Sequence, residues 1–118
     1  MMKKITITRH RQFTGGSARC WIIFNMNEDE ARKHVRRAKK NLPNQSKNVI
    51  PILNGQSITV ELHNNKTEFY AAFMVGLLSN KVTYSNKVTV NESCADEAYV
   101  LDTASKQLTS TVFELTEI

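Results

Sequence analysis

Apolar and polar residues alternate through Ile5-Thr6-Ile7-Thr8, the period of two that marks a half-buried strand. Gly15-Gly16-Ser17 reads as a turn, because glycine enters left-handed conformations without a steric penalty. From Ala18 to Phe24 the chain is almost continuously apolar after Arg19 and rich in aromatic and β-branched types, as in a central strand. Trp21 and Ile23 fall on one of its faces, and Cys20, Ile22 and Phe24 on the other. The period then changes. Ala31, Val35, Ala38 and Leu42 lie on one narrow helical stripe. Asn27 with Glu30 three residues later makes an N-cap, and Leu42-Pro43 supplies the stop. A helix is therefore predicted over residues 27–41, followed by a polar loop to Asn48.

From residue 49 the pattern is β. Val49–Leu53 and Ser57–Leu62 flank Asn54-Gly55, which predicts a hairpin. Pro51 places the first arm at a sheet edge or a bulge. After a turn at residues 63–66, Glu68–Val75 has apolar residues on both faces, so both are expected to be covered. Val82–Tyr84 and Lys87–Val90 read as two short strands, or as one strand interrupted at Ser85-Asn86. Ala98–Thr103 and Thr111–Leu115 form the last pair. This is a mainly β chain. The predicted fold is an Ig-like β-sandwich of about seven strands, one domain over residues 1–118, with a helical insertion at about 27–48. The alternative is a compact α+β fold.

The segments "KITITRHRQFTGGSARCWIIFN" and "PILNGQSITVELHNNKTEFYAAF" carry a resemblance. Through Arg9, Arg11, Phe13, Gly16, Ser17, Leu53, Asn54, Gly55, Ser57, Val60 and Leu62 the chain resembles small bacterial β-sandwich modules of the PEGA-like or carboxypeptidase-regulatory-like type. The likeness spans residues 4–26 and 49–75. It implies a sandwich that acts as an interaction module, and it assigns no catalytic or binding residue. Two departures stand out: the helix and loop of residues 27–48 replace a short turn, and His63-Asn64-Asn65-Lys66 replaces a glycine-containing one.

Charge sharpens the picture. The net charge is +5, but residues 1–47 hold twelve Lys and Arg against three acids, and the remainder holds four against eight. The helix opens on Glu28, Asp29 and Glu30 and closes on bases, as its dipole favours. Glu28–Arg32 and Asp29–Lys33 have the spacing of ion pairs. Arg32, Lys33, Arg36, Arg37, Lys39 and Lys40 span roughly 160° of the helical wheel, opposite the apolar stripe. They are the candidate contacts for an anion or a partner, with Arg9, His10 and Arg11 as a possible extension. Such a face is either simply solvated, or it meets an acidic protein, or it meets nucleic-acid phosphates. Membrane insertion is not expected, because the stripe lacks Trp, Phe or several Leu.

Other chemistry is sparse. His10, His34 and His63 form no metal-ligand pair, neither Cys20 nor Cys94 has a CxxC partner, and no phosphate-loop or nucleophile-elbow motif occurs. Both cysteines are expected as free thiols. Glu61 and Glu68 flank a turn and are candidates to face each other across strands; Glu92, Asp96, Glu97 and Asp102 make a loose acidic patch. The basic start at Lys3-Lys4 runs into alternating residues rather than an apolar run, so a cytoplasmic location is expected. The expectation is a non-enzymatic interaction module without catalytic residue, cofactor or metal. It contacts partners or itself through sheet edges or the helix, a homodimer included. The alternative is a nucleic-acid-binding protein using helix 28–40.

Overall fold

A computed structural model describes residues 3–11, 19–39, 48–62, 67–74, 81–90, 96–104 and 112–117. Its elements are β1 (Lys3–Arg9), β2 (Arg19–Phe24), α1 (Glu28–Lys39), β3 (Val49–Ile52), β4 (Ser57–Leu62), β5 (Glu68–Met74), β6 (Thr83–Tyr84), β7 (Val88–Thr89), β8 (Glu97–Ala104) and β9 (Val112–Glu117). One sheet has the order β4-β1-β8-β9. The other has the order β3-β2-β5-β6, with β7 also paired to β5. The chain is thus a mainly β two-sheet sandwich with one inserted helix. β1 runs parallel to β8, and the other described pairs are antiparallel.

The alternation read from sequence decides which side chains meet. Ile5 and Ile7 of β1 face Cys20, Ile22 and Phe24 of β2 and Phe69, Ala71 and Phe73 of β5 in the core between the sheets. Phe69 stacks edge-on against Tyr99 at 5.0 Å between ring centroids. The opposite face of β2 and β5 presents Trp21, Ile23, Tyr70, Ala72 and Met74 to Ala31 and Val35 of α1. The layers are therefore helix, sheet, sheet. The two-sided burial expected of β5, which β2 shares, follows from their position in the middle layer.

The period of two on β1 continues past its isoleucines. Lys3 and Arg9 share the inward face and are both buried. Lys3 Nζ lies 3.0 Å from Glu97 Oε2. Arg9 Nη1 donates to the Ile52 carbonyl at 3.0 Å. Arg9 thus closes one end of the core rather than joining a basic surface.

Asn54-Gly55 does not make the predicted hairpin. β3 pairs with β2 and β4 pairs with β1, so the turn carries the chain from one sheet to the other. The Gln56 N–H donates to the Leu53 carbonyl at 2.9 Å, and of the two central residues only Gly55 has positive φ, at 79°. That is a type II geometry, which splays the flanking strands instead of pairing them. A consequence is that Glu61 and Glu68 sit in different sheets and do not face each other across a ladder.

Nine strands are described where about seven were expected, and two of them, β6 and β7, are halves of one interrupted strand. β6 pairs Tyr84 with Ala72, while β7 pairs Val88 with Phe69, a slip of one residue. Asn86 and Lys87 together stand opposite Tyr70, which is a β-bulge. The slip reverses the face of every later side chain. Val82 and Tyr84 therefore pack toward the helix, and Val88 and Val90 toward the core between the sheets. At the bulge the Ser85 hydroxyl accepts from the Ala71 N–H at 2.8 Å, replacing a lost ladder bond.

Candidate interaction surface

The chain leaves β2 through Asn25, whose φ of 51° is the described non-glycine exception. Asparagine tolerates this left-handed conformation better than most residues. Asn25 also prolongs the pairing with β5: its N–H donates to the Glu68 carbonyl at 2.8 Å, and its Oδ1 accepts from the Glu68 N–H at 2.9 Å. The helix begins two residues on. Asn27 Oδ1 accepts from the Glu30 N–H at 2.8 Å, the N-cap bond expected from sequence.

Two tyrosines hold this first turn to the sheet. Tyr70 of β5 donates its hydroxyl proton to the Met26 carbonyl at 2.8 Å, and Tyr84 of β6 donates to the Glu28 carbonyl at 3.0 Å. Their rings meet edge-to-face at 5.7 Å. Burial, then the neighbouring Tyr84 and the acids Glu28, Glu68 and Glu30, push the Tyr70 hydroxyl well above its ordinary pKa, so it stays a donor. From the bulge, Lys87 lies 5.6 Å from the Tyr70 ring centroid and 4.0 Å from Glu28 Oε2. Sequence reading missed these contacts, and nothing in local spacing encodes them, since the partners lie 44 and 56 positions apart.

Ala31 and Val35 are fully buried and Ala38 is partly so, which fixes the rotation of the helix. Lys33, Arg36 and Arg37 consequently face solvent, and Arg32 is half-buried. The expected pairs Glu28–Arg32 and Asp29–Lys33 are not those observed. Asp29 instead meets Arg32 at 3.5 Å, one residue closer, and Glu28 turns to Lys87. Of the first-turn acids, Glu28 thus reaches across to the sheet, while the exposed Asp29 reaches along the helix to Arg32. Lys39 lies in the last turn of α1, with its side chain outside the described residues, as is the whole of Lys40.

The extension through Arg9, His10 and Arg11 is not formed. β1 belongs to the far sheet, whose inner face meets the middle layer, so the helix and β1 lie on opposite sides of that layer. Arg11 packs beside Gly55, where a Cβ would lie 3.0 Å from its Nε.

The remaining candidates disperse. Among the described residues no three His, Cys, Asp or Glu side chains form a group that could hold a metal ion. Cys20 is a free, buried thiol; burial raises its pKa to about 11, against a smaller lowering by Arg9. Of the acidic patch, Glu97 is buried against Lys3, Asp96 Oδ1 accepts from the Lys4 N–H at 3.0 Å, and Asp102 pairs in register with Glu114. Gly15-Gly16-Ser17, His63, Glu92 and Cys94 lie outside the described residues. No described helix is long and apolar enough to cross a membrane.

No protein-family model matches the chain, and no curated protein matches it. Solved structures share the fold. One is described as a trapped toxin, at 8% identity and a TM-score of 0.51, covering 99% of this chain and 23% of that one. Another is the human-specific toxin intermedilysin, at 11% identity and a TM-score of 0.51, with 99% and 23% coverage. The chain spans about a quarter of the length of these proteins, and at such identity the likeness is one of fold.

Proposed function

We propose that this chain is a non-enzymatic interaction module that presents the outer face of α1 to an acidic protein surface. The observation that carries the reading is the seating of the helix. Ala31 and Val35 are buried, two tyrosine hydroxyls hold the first turn, and Lys33, Arg36 and Arg37 are left facing outward. An element held at its start has little backbone freedom left to lose when it binds. Lys33, Arg36 and Arg37 are exposed, so contacts made there are salt-sensitive. The resemblance to PEGA-like and carboxypeptidase-regulatory-like modules supports the same class of function.

Binding to polyglutamate and to mixed-sequence duplex DNA at low salt tests it. The expected result is binding to polyglutamate that weakens with salt and is lost when Lys33, Arg36 and Arg37 are replaced by Glu. Binding to DNA in preference would establish the nucleic-acid reading instead. Binding to neither would overturn both.

A further inference from the structure

The sandwich has four sheet margins, and three are blunted. On β3, the bond from the Phe24 N–H to the Asn48 carbonyl sets the ladder so that Pro51, opposite Trp21, turns its nitrogen outward. Proline offers no donor there. The β6–β7 margin is broken by the bulge. On β9, both outward main-chain groups of Leu115 are taken by the Asn86 side chain.

The fourth margin, β4, carries no such device. The bond from the Arg9 N–H to the Gln56 carbonyl sets its phase, so that Ser57, Thr59 and Glu61 direct their N–H and C=O groups outward. Among the described residues nothing pairs with them. β4 contains neither proline nor glycine and pairs with β1 without a bulge. Its inward residues Ile58, Val60 and Leu62 are only partly buried, as is Ile50 on the neighbouring β3, so the flank also carries an apolar strip. Unpaired main-chain groups beside partly buried apolar side chains form a template for another strand.

We infer that β4 pairs antiparallel with β4 of a second copy of this chain, about a two-fold axis at Thr59. The strand is complementary to itself in that register. Thr59 faces Thr59 of the second copy, and Ser57 faces Glu61, so no like charges stand opposed. On the inner side Ile58 meets Val60, extending both apolar strips. About six main-chain hydrogen bonds form, and two four-stranded sheets become one. The occupant is a second copy because the pairing satisfies both open margins at once and leaves no new one. This inference is independent of the proposed role of the helix.

Light scattering and sedimentation of the intact chain across roughly 10 µM to 1 mM, where small interfaces associate, test it. The wild type should pass from monomer to dimer. Thr59→Pro removes an outward N–H that β1 does not use, and should weaken the dimer on the order of tenfold or more. Should that variant fail to keep the wild-type circular dichroism, Thr59→Lys, which opposes like charges at the axis, serves in its place. Replacing Arg36 and Arg37 with Glu should leave the dimer unchanged, which separates this result from the helix reading. A wild type monomeric throughout the range, or a Thr59→Lys chain that dimerises as the wild type does, overturns the inference.

Discussion

Asn86 holds Leu115 of the opposite sheet with both ends of its carboxamide, accepting from the Leu115 N–H at 2.8 Å and donating to the Leu115 carbonyl at 3.0 Å. A side chain thus imitates one rung of a ladder across the side of the sandwich. The bulge makes this possible, because it puts Asn86 where no strand partner is required of it.

Removing that rung should loosen the two sheets together. Asn86→Ala is expected to cost about 1–3 kcal/mol, since two hydrogen bonds are lost and the Leu115 groups are left partly buried. Urea denaturation checks it. Asn86→Asp, which keeps the acceptor but opposes a carboxylate to the Leu115 carbonyl, should be at least as damaging at neutral pH.

Asn27→Ala should lower stability by about 0.5–2 kcal/mol through loss of the bond to the Glu30 N–H, and Asn27→Asp should restore most of it. Thermal unfolding monitored at the helix band provides the measurement. A ranking in which alanine equals aspartate would mean that the tyrosine contacts alone hold the turn.

The Lys3–Glu97 pair has side chains only 8% and 9% exposed, and beside it burial, then the charge of Glu97, pushes the Tyr99 hydroxyl up to about 12. Glu97→Leu alone takes the carboxylate from a buried ammonium and is expected to cost about 3–5 kcal/mol. Replacing Lys3 with Met, Glu97 with Leu and Tyr99 with Phe together should recover most of that loss. Denaturation of the single and combined variants separates the two effects.

Cys20 gives a pH dependence of definite sign. Burial raises its thiol from the ordinary 9.0 to about 11, partly offset by Arg9, so the folded state holds the proton more tightly than the unfolded chain. Its contribution to stability is complete below pH 9 and is lost as pH rises through 11, amounting to about 2–3 kcal/mol. Between those values the wild type should lose more stability than Cys20→Val. The thiol should also resist alkylation at pH 8 in the folded protein and react once it is unfolded.

Local pattern was enough to locate the strands, the helix and its cap, because Ile5 with Ile7, Trp21 with Ile23, and Ala31 with Val35 are periodic in the sequence itself. Pairing was not. Asn54-Gly55 specifies a turn with a glycine at positive φ, but not whether its arms share a sheet. The same spacing that put Ile5 and Ile7 inside also puts Lys3 and Arg9 there, a signal present in the sequence and obscured by their charge. Val82, Tyr84, Val88 and Val90 have one parity yet two destinations, and only the extra residue at the bulge reconciles them. For the helix, the stripe predicted which face turns outward. Its clamp by Tyr70, Tyr84 and Lys87 depends on contacts too distant in sequence to be read there.

The position of β1 also orders events during synthesis. It is made before the other described strands, yet in its sheet it lies between β4 and β8, and its parallel partner begins at Glu97. The helix and the whole middle layer draw only on residues through Val90 and are complete before that partner exists. Until β8 is made, β1 has one sheet neighbour at most, with the margin toward β8 open. Closure of so long a loop is slow, so during this interval β1 is itself an edge strand, open to pairing with another chain.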